Sequence, residues 1–237
     1  MKPLFILTSA INTRFGAYKP DVRLQQTLDS IASIKARCPE AKVCVVEMAG
    51  VPLEEDQARQ LQAQANYFFD FSRDEAVKSI YESTENWDWV KNTTEVMCFA
   101  NVLTELQLQG ITKEFDRIFK MSGRYCLTDD FPTVDYDTVA DRIVILERKG
   151  SQFRPEVTGG KQFQYMSRLW SWPADQTQAV VDSYNEGFSA MAVRINEGGY
   201  FDIEHMLFAY LPAELVKEIP RVGLRGLLGP NGAAIED

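Results

Sequence analysis

Histidine is almost absent: the 237-residue chain has one, His205. A histidine-rich metal site is thereby excluded, and any Ser-His-Asp arrangement has to pass through that residue. Cysteine is sparse too. Cys38, Cys44, Cys98 and Cys126 form no Cys-x-x-Cys pair, and three of the four lie in apolar stretches, which points to a reducing cytoplasm without structural zinc. Positive charge is in deficit, with 25 Lys and Arg against 34 Asp and Glu and a net charge of -9. Such a surface opposes non-specific contact with nucleic acid or an anionic membrane, so any phosphate site has to be local. Long hydrophobic runs are missing as well. The apolar stretch inside MKPLFILTSAINTRF stops too soon for a signal-peptide core or a transmembrane segment and reads as a first buried strand. No low-complexity segment, internal repeat or Ser/Gly/Pro-rich linker divides the chain, which favours one domain over 1–237.

What is present alternates. An apolar strand, Leu4 to Ser9, precedes an amphipathic helix from about Arg23 to Arg37, with Leu24, Leu28, Ile31 and Ile34 on one face. A second strand (Lys42 to Glu47), a helix (Leu53 to Ala65) and a third strand (Asn66 to Phe71) follow. This order is that of a parallel sheet wound with helices. It turns the loops Ser9 to Arg14, Glu47 to Gly50 and Phe71 to Asp74 towards one crevice. A short helix is expected over Asp74 to Ser83 and a longer one within Trp87 to Gln109. Ahead of the latter stands Val90-Lys91-Asn92-Thr93-Thr94-Glu95, in which Asn92 or Thr93 caps and Glu95 closes a capping box. That helix start, with Lys91, suits an anion; capping alone is the plainer alternative.

Further on, a strand is expected over Arg142 to Glu147, then a basic, glycine-bearing loop (Arg148 to Lys161) and a strand (Gln162 to Leu169) leading to Trp170 and Trp172. Those tryptophans suit stacking on a sugar or base as well as core packing. Pro173 opens a helix to about Ala190, Arg194 to Tyr200 is turn-like, and a helix starts within Phe201 to His205 and reaches Tyr210. The tail from Ile219, which includes Gly226-Leu227-Leu228-Gly229-Pro230-Asn231-Gly232, favours turns.

The densest chemistry lies in EFDRIFKMSGRYCLTDDFPT, Glu114 to Thr133. A buried strand, Arg117 to Met121, runs directly into Ser122-Gly123-Arg124-Tyr125 and then Asp129-Asp130. Glycine permits close backbone approach, arginine offers a donor fork to phosphate, and carboxylates hold hard cations. In open α/β sheets the strand exit is where ligands bind. Each residue has a structural alternative: Lys120 snorkelling to solvent, Arg124 paired with Asp129 or Asp130, and the two aspartates shaping a turn before Pro132.

Together TSAINT after the first strand, KNTTE, FKMSGRYCLTDDF, DIEH and RGLLGPNG resemble bacterial and phage-type sugar-nucleotide transferases of the GT-A class. The resemblance implies an α/β, Rossmann-like GT-A fold with a mostly parallel central sheet flanked by helices. About 1–130 would bind the nucleotide sugar and about 131–237 the acceptor. It implies transfer of a hexosyl unit from a nucleoside-diphosphate sugar, a UDP-sugar foremost, to a saccharide or other hydroxyl acceptor. The donor would meet Ser9, Ala10, Asn12, Arg14, Glu47, Lys91, Asn92, Lys120, Ser122, Gly123 and Arg124. The family usually carries Asp-x-Asp at the end of the fourth strand to hold a divalent metal, where this chain has Ser122-Gly123-Arg124. Two substitutes can neutralise the departing diphosphate: fixed charge from Arg124 and Lys120, or Mg2+ or Mn2+ held by the displaced Asp129 and Asp130. Adjacent aspartates in a strand point to opposite faces, which favours the cationic version.

For the base that takes the acceptor's proton the expectation is Glu204, then Asp202, with His205 beside them. The plain alternatives are an N-cap for Asp202 and a buried polar role for His205. Two other functions compete: a non-catalytic nucleotide- or carbohydrate-binding domain, and a sugar nucleotidyltransferase. The latter usually shows a glycine-rich basic signature after its first strand, which Ser9 to Arg14 lacks.

Overall fold

The computed structural model describes residues 1–14, 16–228 and 232–237. In chain order the elements are β1 (Pro3–Ser9), α1 (Pro20–Arg37), β2 (Lys42–Glu47), α2 (Glu55–Gln64), β3 (Tyr67–Asp70), α3 (Glu75–Ser83) and α4 (Trp87–Leu108). Then follow β4 (Arg117–Ser122), β5 (Tyr125–Leu127), β6 (Ile143–Leu146), β7 (Lys149–Gly150), β8 (Phe163–Gln164), β9 (Leu169–Pro173) and α5 (Thr177–Asn196). The last elements are α6 (Ile203–Tyr210), β10 (Val216–Ile219), β11 (Leu224–Leu227) and β12 (Ala234–Glu236). A seven-stranded sheet runs in the order β3-β2-β1-β4-β9-β6-β10. Its strands pair in parallel except β9, which lies antiparallel between β4 and β6. The fold is therefore α/β with a mostly parallel central sheet flanked by helices.

β1 is buried along its whole length, and its residues alternate between two cores. Leu4 and Ile6 face α4, α5 and α6 through Phe99, Tyr184 and Met206, whereas Phe5 and Leu7 face α1 and α2 through Leu24, Ile31 and Leu61. A continuous apolar run is what a strand covered on both faces requires. β1 has β2 on one side and β4 on the other, so the winding reverses between β1 and β4; crevices form at such switch points. Register brings the strand ends level, with Ser9 opposite Glu47 and Thr8 opposite Ser122.

Several elements depart from the sequence reading. α4 starts at Trp87, where Asn86 accepts the Trp89 N–H, so Asn92, Thr93 and Glu95 lie inside the helix and close no capping box. Within the helix Asn92 Nδ2 donates to Asp88 O at 2.8 Å and Thr94 Oγ1 to Val90 O at 2.7 Å, while Thr93 Oγ1 is buried without a hydrogen-bond partner among the described residues. Trp170 and Trp172 sit on the central β9 and are buried against Phe99 and Tyr184, which leaves them no face for a sugar. α5 begins after a short turn at Ala174–Gln176 and runs past Ala190 to Asn196. The tail forms β11 and β12, which extend β5 into a three-stranded sheet; Gly229, Pro230 and Asn231 lie outside the described residues. That pairing is a tertiary effect that local composition does not carry. Among the described residues no helix is long and apolar enough to cross a membrane.

Candidate functional site

Where β1 and β4 part, the structure encloses a cavity of about 650 Å³, a size common for small-molecule sites. β1 contributes Thr8 and Ser9, with Ala10 just beyond it, and β4 contributes Ser122, followed by Gly123 and Arg124. Arg23 and Thr27 reach in from α1, and Trp87, Val90, Lys91 and Glu95 from α4, while Met48 and Tyr81 complete an apolar side.

The cavity is rich in cations. Arg23 sits in the first turn of α1; one Nη donates to Ala10 O at 3.0 Å, and its buried Nε has no partner. Burial, and then the neighbouring Arg124 charge, lower its pKa. Arg124 stands over the Tyr125 ring at 5.7 Å and Lys91 over Trp87 at 5.8 Å. Among the described residues none of these three cations has an ion-pair partner. Arg14 also lines the cavity but is held by Glu85 at 3.4 Å and by the Thr84 carbonyl. The possible partners of Arg124 are engaged elsewhere: Asp129 pairs with Arg37, and Asp130 with Arg221 at 3.4 Å. Both aspartates are exposed and line no part of the cavity, so the expected metal pair is a pair of surface ion-pair partners instead.

No family model matches the chain, and no curated protein aligns with it significantly.

Lys120 departs from the sequence expectation. It shares the Ile118 face of β4, is fully buried, and does not line the cavity. Its Nζ reaches Glu95 Oε1 at 2.7 Å, Ser122 Oγ at 2.8 Å and Ser167 O at 2.7 Å, which uses all three of its protons. Glu95, read from sequence as a cap residue, is its counter-ion and does face the cavity. Burial opposes ionisation of Glu95, but the Lys120, Lys91 and Arg124 charges outweigh it and hold its pKa below the usual carboxylate range.

Four other expected ligand residues do structural work. Glu47 is fully buried, with Oε1 accepting from the N–H groups of Ile11 (2.9 Å) and Ala49 (3.1 Å), and it shapes the loops after β1 and β2. Asn12 exchanges two hydrogen bonds with Gln57, at 2.8 and 3.0 Å, tying its loop to α2. Asn92 Oδ1 accepts from Ile203 N–H at 3.4 Å and joins α4 to α6. None of these three lines the cavity. Gly123 does, yet its close approach is to the protein itself: its N–H donates to Thr8 O at 2.8 Å. A Cβ there would meet Thr8 O at 3.0 Å and Thr27 Oγ1 at 3.1 Å. Gly123→Ala is expected to cost about 1–3 kcal/mol in denaturant unfolding; an unaltered midpoint would contradict this packing role.

A cluster at the start of α6 is joined to α4, one residue from Lys91, by the Asn92–Ile203 hydrogen bond; Asp202, Glu204 and His205 do not themselves line the cavity. Asp202 caps α6, accepting from the N–H groups of Glu204 (3.1 Å) and His205 (2.9 Å), and Tyr200 OH donates to its other oxygen at 2.9 Å. His205 Nδ1 lies 2.7 Å from Asp202 Oδ1 and Nε2 lies 2.9 Å from Ser151 Oγ. An ionised Asp202 only accepts, so Nδ1 carries a proton and points it at Asp202. The Ser-His-Asp order does pass through the one histidine. His205 is nevertheless fully buried, outside the cavity, and fastens the Ser151 loop to α6.

Among the described residues the side-chain hydrogen bonds to Glu204 are long, from Gln164 Nε2 at 3.4 Å and Ser167 Oγ at 3.5 Å, and the Ser167 backbone N–H also acts on it. Burial first, and then Asp202, raise its pKa. A carboxyl whose folded pKa is raised loses stability as pH climbs from the ordinary carboxylate range through its raised value. Glu204→Gln is therefore expected to raise the melting temperature at pH 7 and to leave it unchanged near pH 4. A variant less stable at both pH values would make Glu204 a structural partner of Gln164 and Ser167.

The donor set at the β4 exit does not fit the divalent metal that the GT-A resemblance implies. Its residues are Ser122, Gly123 and Arg124, and the carboxylate facing the cavity, Glu95, already holds the Lys120 ammonium at 2.7 Å. A second cation there would be repelled by the first and by Arg124. Among the described residues no group of three or more His, Cys, Asp or Glu is placed to hold a metal ion.

Proposed function

We propose that the protein is a GT-A-type glycosyltransferase that moves a sugar from a nucleoside-diphosphate donor to a hydroxyl acceptor, with arginines at the place of the metal. The observation that carries the reading is Arg23 and Arg124 at the sheet switch point, neither with a carboxylate partner among the described residues, in a chain of net charge -9. Two like charges held together, one of them partly desolvated, are stabilised by an anion between them. A diphosphate has the charge and the acceptor oxygens to take both forks.

In this reading the nucleoside lies along the apolar side formed by Met48, Tyr81 and Val90. As the glycosidic bond to the diphosphate breaks, negative charge grows on the leaving oxygen, where Arg23, Arg124 and Lys91 stabilise it. The acceptor hydroxyl gives its proton to Glu204, whose raised pKa brings it closer to neutrality, where a general base works best. Asp202 and His205 position α6 and transfer no proton.

The test is release of nucleoside diphosphate from a panel of nucleoside-diphosphate sugars, UDP-sugars first, with EDTA or with Mn2+. Slow release from one donor, equal under both conditions, is expected. Tight donor binding without release would favour the non-catalytic module, and release only with Mn2+ would contradict the arginine site.

A further inference from the structure

The cavity holds one group that a site for bare phosphate would not keep. Glu95 is nine-tenths buried and ionised, and it lies among the cations that face the same space. Its Oε1 is fully engaged, receiving Lys120 Nζ at 2.7 Å and Thr8 Oγ1 at 3.3 Å. Its Oε2 receives no hydrogen bond from the described residues, and the side chain keeps 12% of its surface open where Glu95 lines the cavity. A phosphate beside that oxygen would be repelled. A hydroxyl would donate to it and gain a charge-assisted hydrogen bond.

We infer that Glu95 Oε2 is the acceptor for a hydroxyl of the bound ligand and so selects a polyhydroxylated phosphate ester over phosphate alone. This rests on the donor reading above and adds a specificity-determining residue to it. The Lys120 ion pair has a part in this. It holds Glu95 ionised and fixes the carboxylate, so that Oε2 is presented in one orientation beside the arginines. Neither residue transfers a proton or changes covalently. The hydroxyl belongs either to the ribose or to the transferred sugar, and the two sources separate experimentally.

The experiment compares, by titration calorimetry in EDTA, inorganic pyrophosphate, a nucleoside diphosphate and the matching nucleoside-diphosphate sugar. The proteins are the wild type, Glu95→Gln and the double variant Glu95→Met with Lys120→Met, which leaves no buried charge unpaired. In Glu95→Gln, pyrophosphate should bind about twofold or more tighter, because a like charge has gone. In the double variant, pyrophosphate affinity should stay within about threefold of wild type, since one charge of each sign is removed. The affinity gained on adding hydroxylated units should fall by about tenfold or more in the double variant. Loss of the gain between pyrophosphate and nucleoside diphosphate assigns Glu95 to the ribose, and loss between the diphosphate and its sugar assigns it to the transferred sugar. Equal weakening of all three ligands, or no change in any, would overturn the inference and leave Glu95 as a counter-ion for Lys120. Nucleoside-diphosphate binding that needs Mn2+ and vanishes in the double variant would also overturn it, by making Glu95 a metal ligand. Failure of the wild type to bind pyrophosphate or any nucleoside diphosphate would instead sink the donor reading itself.

Discussion

Arg124→Ala weakens binding of the donor nucleotide by roughly 10- to 150-fold, the equivalent of about 1.5–3 kcal/mol for hydrogen bonds made by a charged group. Its melting temperature without ligand stays within about 2 °C of wild type, as for a substitution that breaks no ion pair and no side-chain hydrogen bond among the described residues. Both halves follow from the surroundings: Arg124 is half-buried, borders the cavity and has no carboxylate partner among the described residues. Arg23→Met should weaken binding by a similar factor, since Arg23 faces the same space with an unpartnered Nε. Because the two guanidinium groups would share one diphosphate, the double variant should lose less than the sum of the single effects. A variant that melts far lower while still binding nucleotide would make Arg124 a structural residue.

The second large effect concerns stability. Glu95→Ala strands the fully buried Lys120 ammonium, and breaking a buried pair by removing one partner costs about 3–5 kcal/mol. For a chain of this length that corresponds to a fall of roughly 6–20 °C in melting temperature. Replacing both residues with methionine should cost far less, because no charge is left unpaired, and the non-additivity measures the coupling. The pH dependence has a sign as well. Glu95 has a folded pKa below its ordinary value, so its contribution is complete above the ordinary carboxylate range and disappears as pH falls through the depressed value. The methionine pair should lack this acid-sensitive component. Equal losses in the single and double variants would mean that Lys120 does not depend on Glu95.

The sheet was largely legible because its strands are continuous apolar runs, which both faces of a covered strand require. Lys120 was the exception, a charge in such a run, and its partner was hidden by one misplaced boundary. Asn92-Thr93-Thr94-Glu95 has the composition of a helix start, yet the helix begins at Trp87 under Asn86. That shift turns Glu95 from a cap residue into a buried side chain facing Lys120 and the cavity. The lone lysine inside the apolar strand was the available signal that an acidic partner had to exist.

The β4 exit was legible as the edge of a crevice, and the structure places Ser122, Gly123 and Arg124 on one cavity with Ser9, Ala10, Arg14 and Lys91. Arg23 was not, because a lone arginine at the start of an amphipathic helix resembles any solvent-facing residue; its place depends on how α1 packs over the end of β1. Asp129 and Asp130 misled for the opposite reason. They are close in sequence to Arg124, but their partners are Arg37 and Arg221, brought near only by the fold.

A diphosphate is expected between Arg23 and Arg124, and a crystal structure of the protein soaked with UDP, or with whichever nucleoside diphosphate raises its melting temperature most, shows whether it lies there. That placement puts phosphate oxygens within hydrogen-bond distance of both guanidinium groups, at the ends of β1 and β4. A diphosphate bound elsewhere, or one held in this cavity with both arginines turned away from it, would contradict it.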